Sequence, residues 1–288
     1  MGKKILILGG TGTLGTALAE RLGRDANNEI TILSRDEFKL SQMKKRFPAF
    51  KYVIGDIRDI PSISPYFDVN EVFQCAALKH VDMGEDFTDQ FMKTNYIGTK
   101  NCFDVANRAG VERFFFFSTD KAVLPINSYG FSKALAENYI RGKKTNMVSK
   151  IFRWGNIIGS RGSVFGQWEH AISNHLPLNV TDLKMTRFWM LLDEAVEFVM
   201  SEILDISSPS GTYIPDIKAA SIMDMIEALQ EFIEGDCERT LEFNVTGIRP
   251  GEKIHEVLFS SHNYCVRSDT GPQYSRHELL HMMGEYIG

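Results

Sequence analysis

One short stretch of the chain carries enough functional groups for acid–base chemistry. Residues 118–133 read Ser-Thr-Asp-Lys-Ala-Val-Leu-Pro-Ile-Asn-Ser-Tyr-Gly-Phe-Ser-Lys. Tyr129 and Lys133 sit one helical turn apart on a stretch with helical spacing, so they share a face. A nearby ammonium favours the phenolate and lowers a phenol's pKa. A tyrosine tuned in this way takes a proton from a substrate hydroxyl while hydride departs. Thr119, at the end of the preceding apolar run, is placed to share that hydroxyl's hydrogen bond. A Tyr–Lys pair at this spacing is common on surfaces by chance; the strand ending in Ser-Thr just before it sets this one apart. Asp120 and Lys121 add a carboxyl and an amine at the same strand end. As a base Lys121 must be neutral, which calls for burial or for cations such as Lys133 nearby. As an acid Asp120 needs a raised pKa.

A second group of residues suits a dinucleotide. Residues 9–15 read Gly-Gly-Thr-Gly-Thr-Leu-Gly, after an apolar run and at the start of a helical pattern. In that context Gly9 gives the tight turn, Gly12 lets a pyrophosphate approach the backbone, and Gly15 lets the helix pack closely. Thr11, Thr13 and Leu14 complete the loop, whose helix end offers free N–H groups. The next strand ends in Ser34-Arg35-Asp36. A hydroxyl followed by a guanidinium suits a 2′-phosphate, which favours NADP and leaves NAD open. Asp56 and Ile57, after the third strand, are placed to meet the adenine.

These groups need a scaffold, and the pattern supplies one. Apolar runs at Lys4–Leu8, Glu29–Leu33, Lys51–Ile54, Glu71–Cys75, Arg113–Ser118 and Ser149–Arg153 alternate with helical spacing at Leu14–Gly23, Phe38–Phe47, Thr88–Ala109 and Ser128–Arg141. Such alternation predicts an α/β fold, a Rossmann-type doubly wound parallel sheet. Phe114–Phe117 suits a strand buried on both faces. After about residue 155 the pattern loosens, with helices predicted at Asp193–Asp205, Ser221–Ile233 and Arg276–Met283. The division expected is a cofactor domain over 1–155, with 187–215 returning to it. A smaller substrate-binding lobe takes 156–186 and 216–288.

Composition excludes several classes. The 288 residues carry a net charge of −5, without the basic face of a nucleic-acid binder. No apolar run approaches membrane-spanning length. Cys75, Cys102, Cys237 and Cys265 form no CxxC pair and no metal spacing, and read as reduced thiols of a cytoplasmic protein. His277-Glu-Leu-Leu-His281 matches the HExxH zinc pattern formally. It has no third ligand after it, so the reading is an amphipathic helix with Leu279 and Leu280 inward and no metal.

The glycine loop, Thr119, Tyr129 and Lys133 together resemble the extended short-chain dehydrogenase/reductase family. Asp120-Lys121 is similar to the inverting UDP-N-acetylglucosamine 4,6-dehydratases of bacterial polysaccharide pathways. The resemblance extends through Ala76-Ala77-Leu78-Lys79-His80-Val81, Lys93-Thr94-Asn95, Arg153-Trp154-Gly155-Asn156, Gly159-Ser160-Arg161-Gly162-Ser163-Val164, Met185-Thr186-Arg187-Phe188-Trp189 and Arg249-Pro250-Gly251-Glu252-Lys253. It implies a lyase with tightly bound NADP acting on a UDP-sugar. Tyr129 would oxidise C4, Lys121 would take the C5 proton, Asp120 would protonate the leaving C6 hydroxyl, and hydride would return to C6. It also implies that Ala76, Ala77, Lys79 and Asn95 line the cofactor. Lys79, Asn156, Arg161, Gly162, Ser163, Val164, Arg187, Arg249 and Glu252 would hold the substrate, in a homo-oligomer. One departure is Asp82, where those enzymes usually have proline. Two other readings stay open: a UDP-sugar 4-epimerase or reductase on the same scaffold, and a non-catalytic NADP-binding regulator. Asp120-Lys121 argues against the former, and Thr119, Tyr129 and Lys133 against the latter.

Overall fold

A computed structural model describes residues 2–234, 240–262 and 264–287; Cys237 lies outside them. Parallel strands form over six of the apolar runs: β1 (Lys4–Leu8), β2 (Glu29–Ser34), β3 (Lys51–Ile54), β4 (Glu71–Gln74), β5 (Arg113–Thr119) and β6 (Val148–Trp154). Helices α1 (Thr13–Leu22), α2 (Glu37–Arg46), α3 (Thr99–Ala109) and α4 (Ser128–Arg141) connect them. A seventh strand, Gly211–Tyr213, joins the β6 edge, and the sheet runs Gly211–Tyr213, β6, β5, β4, β1, β2, β3. The chain reverses its winding between β1 and β4, so the loops leaving those strands part and open a crevice at their carboxyl ends.

Burial explains why β5 is a run of phenylalanines. Every residue of the strand is buried, and side chains alternate between its two faces. Phe115 and Phe117 point one way, with Phe73 at 4.6 Å from Phe115 and Phe152 at 5.5 Å from Phe117. Phe114 points the other way and meets Phe103 of α3 edge-on at 5.3 Å. Aromatic rings packed on both faces fix the height of β5 in the sheet, and with it the position of Thr119 at its end.

The segment from Thr88 to Ala109 is helical, as its spacing predicts, but Met92–Gly98 is wound as a π-helical turn. Asn95 lies inside that turn, fully buried. π turns inside α-helices often accompany functional sites, because the extra residue re-aims a side chain.

The second lobe is built on the helices Val164–Ser173, Ile222–Glu234 and Arg276–Ile287 and a small sheet of Ala219–Ser221, Thr186–Leu191 and Asn156–Ile158. Its short strands escape the sequence pattern because three-residue strands show no readable alternation. Phe165, Trp168, Trp189, Leu229 and Met283 form its own core. The helix Leu192–Leu204 instead sends Val199 and Ile203 into the core of the large sheet, beside Ile7 and Phe115. In the helix Arg276–Ile287, Leu279 is buried and Leu280 half-buried, while His277 and His281 face solvent. No described helix is long and apolar enough to cross a membrane.

The phenylalanine column should be the stiffest part of the fold. Phe115→Ala is expected to cost about 3–5 kcal/mol, the usual toll of deleting a fully buried ring. Urea unfolding checks this through the midpoint at constant slope. A loss under about 0.5 kcal/mol, typical of surface changes, would mean that the column is not the packed centre.

Candidate active site

The loop after β1 is shaped to bring backbone against a ligand. Gly9 has φ +72° and a Cβ there would stand 2.6 Å from the Ala76 backbone, so no other residue fits the turn. A Cβ on Gly15 would come 2.7 Å from Gly10, which seats α1 directly on the loop. Gly12 precedes α1 without a side-chain cap, leaving the helix end to a ligand. A cavity of about 510 Å³ runs from Gly9, Thr11 and Gly12 past Ser34 and Arg35 to Ile57, Ala76 and Ala77.

The polar groups at this end differ in detail from the sequence expectation. Ser34 Oγ is 2.9 Å from Thr11 Oγ1, tying the strand end to the glycine loop. Asp36 accepts from Lys39 N at 3.0 Å and caps α2, so it is spent on the helix. Asp56 is placed by its sequence at the adenine edge, but its carboxylate is engaged by Arg58 at 2.6 Å and faces Arg35 at 3.6 Å. Burial opposes its ionisation, yet the two arginines hold the carboxyl below its ordinary value. Arg35 keeps about half its side chain exposed over the cavity.

A larger cleft of about 940 Å³ continues from Gly12 between the two lobes. Thr119, Lys121, Tyr129 and Lys133 line its floor, Ala77 and Lys79 one wall, and Asn156 with Arg161 to Val164 the other. Ser163 caps the helix that follows. Asp120 lies directly beneath, fully buried.

The floor is an electrostatic cluster. Lys121 Nζ is 3.0 Å from Asp120 Oδ1, 3.3 Å from Asn156 Oδ1 and 3.4 Å from Glu256 Oε1. Thr119 Oγ1 donates to Asp120 Oδ1 at 2.9 Å. Burial alone would favour the neutral amine on Lys121, but the Asp120 and Glu256 carboxylates outweigh it and push the ammonium above its ordinary value. This corrects the expectation of a neutral lysine at rest: the expected cations are not what surrounds it. Burial raises the Asp120 carboxyl, Glu256 adds to the rise, and Lys121 opposes it.

Lys133 also behaves differently from the expectation. It donates to the Phe117 carbonyl, stands 4.1 Å over the Phe116 ring, and is driven by burial down to about 7. Burial raises the Tyr129 phenol as well, and the cation that pulls it back is Lys121, helped by the Thr119 hydroxyl. Beneath Lys133, Glu137 holds Arg153 at 2.5 Å, with both side chains buried.

Five other expected site residues make contacts within the protein that the sequence did not indicate. Asn95 accepts from Leu78 N and donates to Leu78 O, both at 2.8 Å, so it fixes the loop carrying Ala77 and Lys79 without reaching the cleft itself. Arg187 turns its guanidinium to the carbonyls of Thr186, Lys253 and Ile254 and is buried under the site. Both terminal nitrogens of its fork are thus engaged within the protein. Arg161 reaches across to the Thr11 carbonyl, and its backbone N–H meets Thr13 Oγ1 at 3.1 Å, which brings it to the glycine loop. Glu252 accepts from Arg249 N at 3.1 Å, while Arg249 itself stands exposed, 4.0 Å from Asp82. Sequence reasoning missed Glu256 altogether. It lies far along the chain from Asp120, and only the block Arg249–Lys253 just before it pointed that way.

The buried Lys133 ammonium leaves a thermodynamic signature. Its pKa of about 7 in the folded chain lies below the ordinary 10.5. Over that window the unfolded chain binds the extra proton, so stability of the cofactor-free protein rises with pH from about 7 towards 10.5 and is lost as pH falls. Lys133→Met is expected to flatten that rise and to stabilise the protein at neutral pH, as read by thermal unfolding across a pH series. An unchanged slope would mean that Lys133 is not desolvated.

Comparison with known proteins agrees with this geometry. A family model described as "Polysaccharide biosynthesis protein" matches residues 5–277. A UDP-N-acetylglucosamine 4,6-dehydratase (inverting) of Campylobacter jejuni is 38% identical over 270 residues, covering 90% of this chain and 78% of that protein. A UDP-glucose 4-epimerase of Rickettsia felis is 36% identical, covering 94% of this chain and 82% of that one. Among solved structures, Pen from Bacillus thuringiensis superposes with a TM-score of 0.91 at 27% identity, covering 98% of this chain and 97% of that one. With its glycine loop, its Thr119–Tyr129–Lys133 floor and this breadth of likeness, the chain belongs to the polysaccharide biosynthesis protein family of extended short-chain dehydrogenases/reductases.

Proposed function

We propose that the protein is a UDP-N-acetylglucosamine 4,6-dehydratase that inverts C5, a lyase with resident NADP. The observation that carries this reading is the buried Asp120–Lys121 contact at 3.0 Å beside Tyr129. Oxidation and reduction at C4 alone need only Tyr129, Lys133 and Thr119. An acid and a base in contact add what elimination of water across C5 and C6 demands.

Residues of the glycine loop, with Arg35 and Arg161, would hold the dinucleotide. Bound there, it would supply the acceptor and donor of the hydride that leaves C4 and ends on C6. Tyr129 accepts the C4 hydroxyl proton, with Thr119 orienting that hydroxyl. The 4-keto group then acidifies the C5 proton. A single proton moving from Lys121 Nζ to Asp120 Oδ1 turns the ion pair into a neutral amine and a carboxylic acid. That one transfer arms both groups: Lys121 takes the C5 proton and Asp120 gives its proton to the C6 hydroxyl, which leaves as water. Asp120 Oδ2 is buried with no hydrogen-bond partner among the described residues. Solvent then protonates C5 on the opposite face while Tyr129 gives its proton back to solvent, which balances the cycle and gives the inverted 4-keto-6-deoxy sugar.

A UDP-sugar 4-epimerase is the second reading, favoured by the Rickettsia relative. Product mass separates the two. Incubation with UDP-N-acetylglucosamine is expected to yield a product lighter by one water in mass spectrometry, with inverted C5 configuration by NMR. Unchanged mass would reject the dehydratase. Lys121→Ala is expected to abolish water loss by a factor of about 10²–10⁴, the usual worth of a positioned base, while reduction of the nicotinamide persists. Exchange of the C5 proton with deuterium at the wild-type rate would exclude Lys121 as the base.

Arg35 beside Ser34 supports NADP as the resident cofactor, since an exposed fork at this strand end suits a 2′-phosphate. Arg35→Ala is expected to weaken NADP relative to NAD by about 10-fold or more, the loss of one charge-assisted bond of roughly 1.5–3 kcal/mol. Titrations with both dinucleotides read the ratio, and an unchanged ratio would exclude Arg35 from that role.

A further inference from the structure

We propose that Glu256 is the positioning residue that holds Lys121 against Asp120 and keeps a proton on that pair through the elimination. This rests on the dehydratase reading and extends it to a residue outside the Asp120–Lys121 pair. Glu256 lies just before the strand Val257–Ser260, 2% exposed, with Oε1 at 3.4 Å from Lys121 Nζ. Its Oε2 is buried with no hydrogen-bond partner among the described residues and has Lys253 Nζ at 3.6 Å. A buried carboxylate left this poorly satisfied is costly, and structures keep such groups where they serve a site.

The geometry around it is built. Glu256 N donates to the Ser268 hydroxyl oxygen at 2.8 Å, and Ser268 N donates back to Glu256 O at 2.9 Å. Ser268 Oγ is 2.6 Å from Thr186 Oγ1, which is 2.9 Å from His255 Nδ1; His255 in turn faces Asp269 at 3.8 Å. The charged groups facing the cluster are therefore Asp120 and Lys121 after β5, Tyr129 of α4, Arg187 from the small sheet, Lys253, and His255 with Asp269 behind. Lys121, Arg187 and Lys253 overcome the burial of Glu256 and keep it ionised.

The consequence is a proton count. The Asp120–Lys121 pair must carry one proton in excess of the doubly deprotonated state, on nitrogen at rest and on oxygen when armed. Without that proton Asp120 cannot protonate the departing C6 hydroxyl. A fixed negative charge at Glu256 delays its loss to higher pH, and its placement beside Nζ keeps the amine over Asp120.

The experiment uses the full chain with bound cofactor and UDP-N-acetylglucosamine. It follows water loss and C5 deuterium exchange across a pH series, with nicotinamide absorbance reporting hydride transfer. Glu256→Gln is expected to move the alkaline limb of water loss to lower pH by about one to three units, the effect of removing one adjacent charge. Glu256→Asp, which keeps the charge but draws it back, is expected to move the limb less and in the same direction. An unmoved limb in Glu256→Gln, with the wild-type enzyme dehydrating normally, overturns the inference. If Glu256→Gln gives no folded protein, Glu256→Asp decides alone, and an unmoved limb again overturns it. If the wild-type enzyme returns substrate or product of unchanged mass at every pH, the dehydratase reading itself falls, and this inference with it.

Discussion

An ammonium removed from water must be matched by negative charge, and this constraint organises the floor of the cleft. Lys121 is largely buried at the end of β5, on the floor of the cleft. One carboxylate, Asp120, comes from the neighbouring residue. The second, Glu256, is delivered by a segment of the other lobe. Removing both would leave the buried ammonium uncompensated, which is costly. The two carboxylates in turn need cations, and Arg187 and Lys253 stand near Glu256. The second lobe is thus bound to the first by electrostatics centred on one amine.

That coupling has a mechanical counterpart. Lys253 Nζ donates to the Val123 carbonyl at 2.8 Å, and Asn127 Nδ2 donates to the Gly251 carbonyl at 2.7 Å. Lys79 Nζ reaches Ser160 Oγ at 3.2 Å across the cleft, and Arg161 closes on Thr11 at the glycine loop. Each bridge joins a loop at the carboxyl end of the large sheet to a loop of the small lobe. Of the bridging residues, Lys79, Ser160 and Arg161 line the cleft itself.

Much of this was readable in the chain before its shape was known. The strands and helices of the first half announced themselves because parallel strands buried on both faces are continuous apolar runs, while helices keep their own period. Tyr129, Lys133, Thr119 and the glycine loop were legible because local spacing alone fixes them on one helix face or one turn. What stayed hidden was what depends on contacts distant in sequence. The short strands of the small lobe pair across long separations, as Ala219–Ser221 does with Thr186–Leu191. Glu256 meets Lys121 only through such pairing. The same blindness misassigned Arg187: its type and neighbourhood suited phosphate, but only the fold reveals that backbone carbonyls already use its fork.

The protonation of the cluster separates the two chemistries that this scaffold supports in its relatives. Reversible oxidation at C4 asks for one proton acceptor, Tyr129, whose phenol is raised by burial and lowered by the Lys121 charge. A cationic Lys121 therefore serves that step. Elimination asks for the opposite state, a neutral Lys121 beside a protonated Asp120. In the proposed mechanism, one proton crossing 3.0 Å would meet both demands in sequence. The charged form prevails while Tyr129 takes its proton. Once C4 is a ketone and C5 is acidic, moving the proton to Asp120 gives the base and the acid together. An uncharged side chain at position 121 would spare the protein a buried cation, yet it would lose both the charge that steadies Tyr129 and the proton that water must carry away.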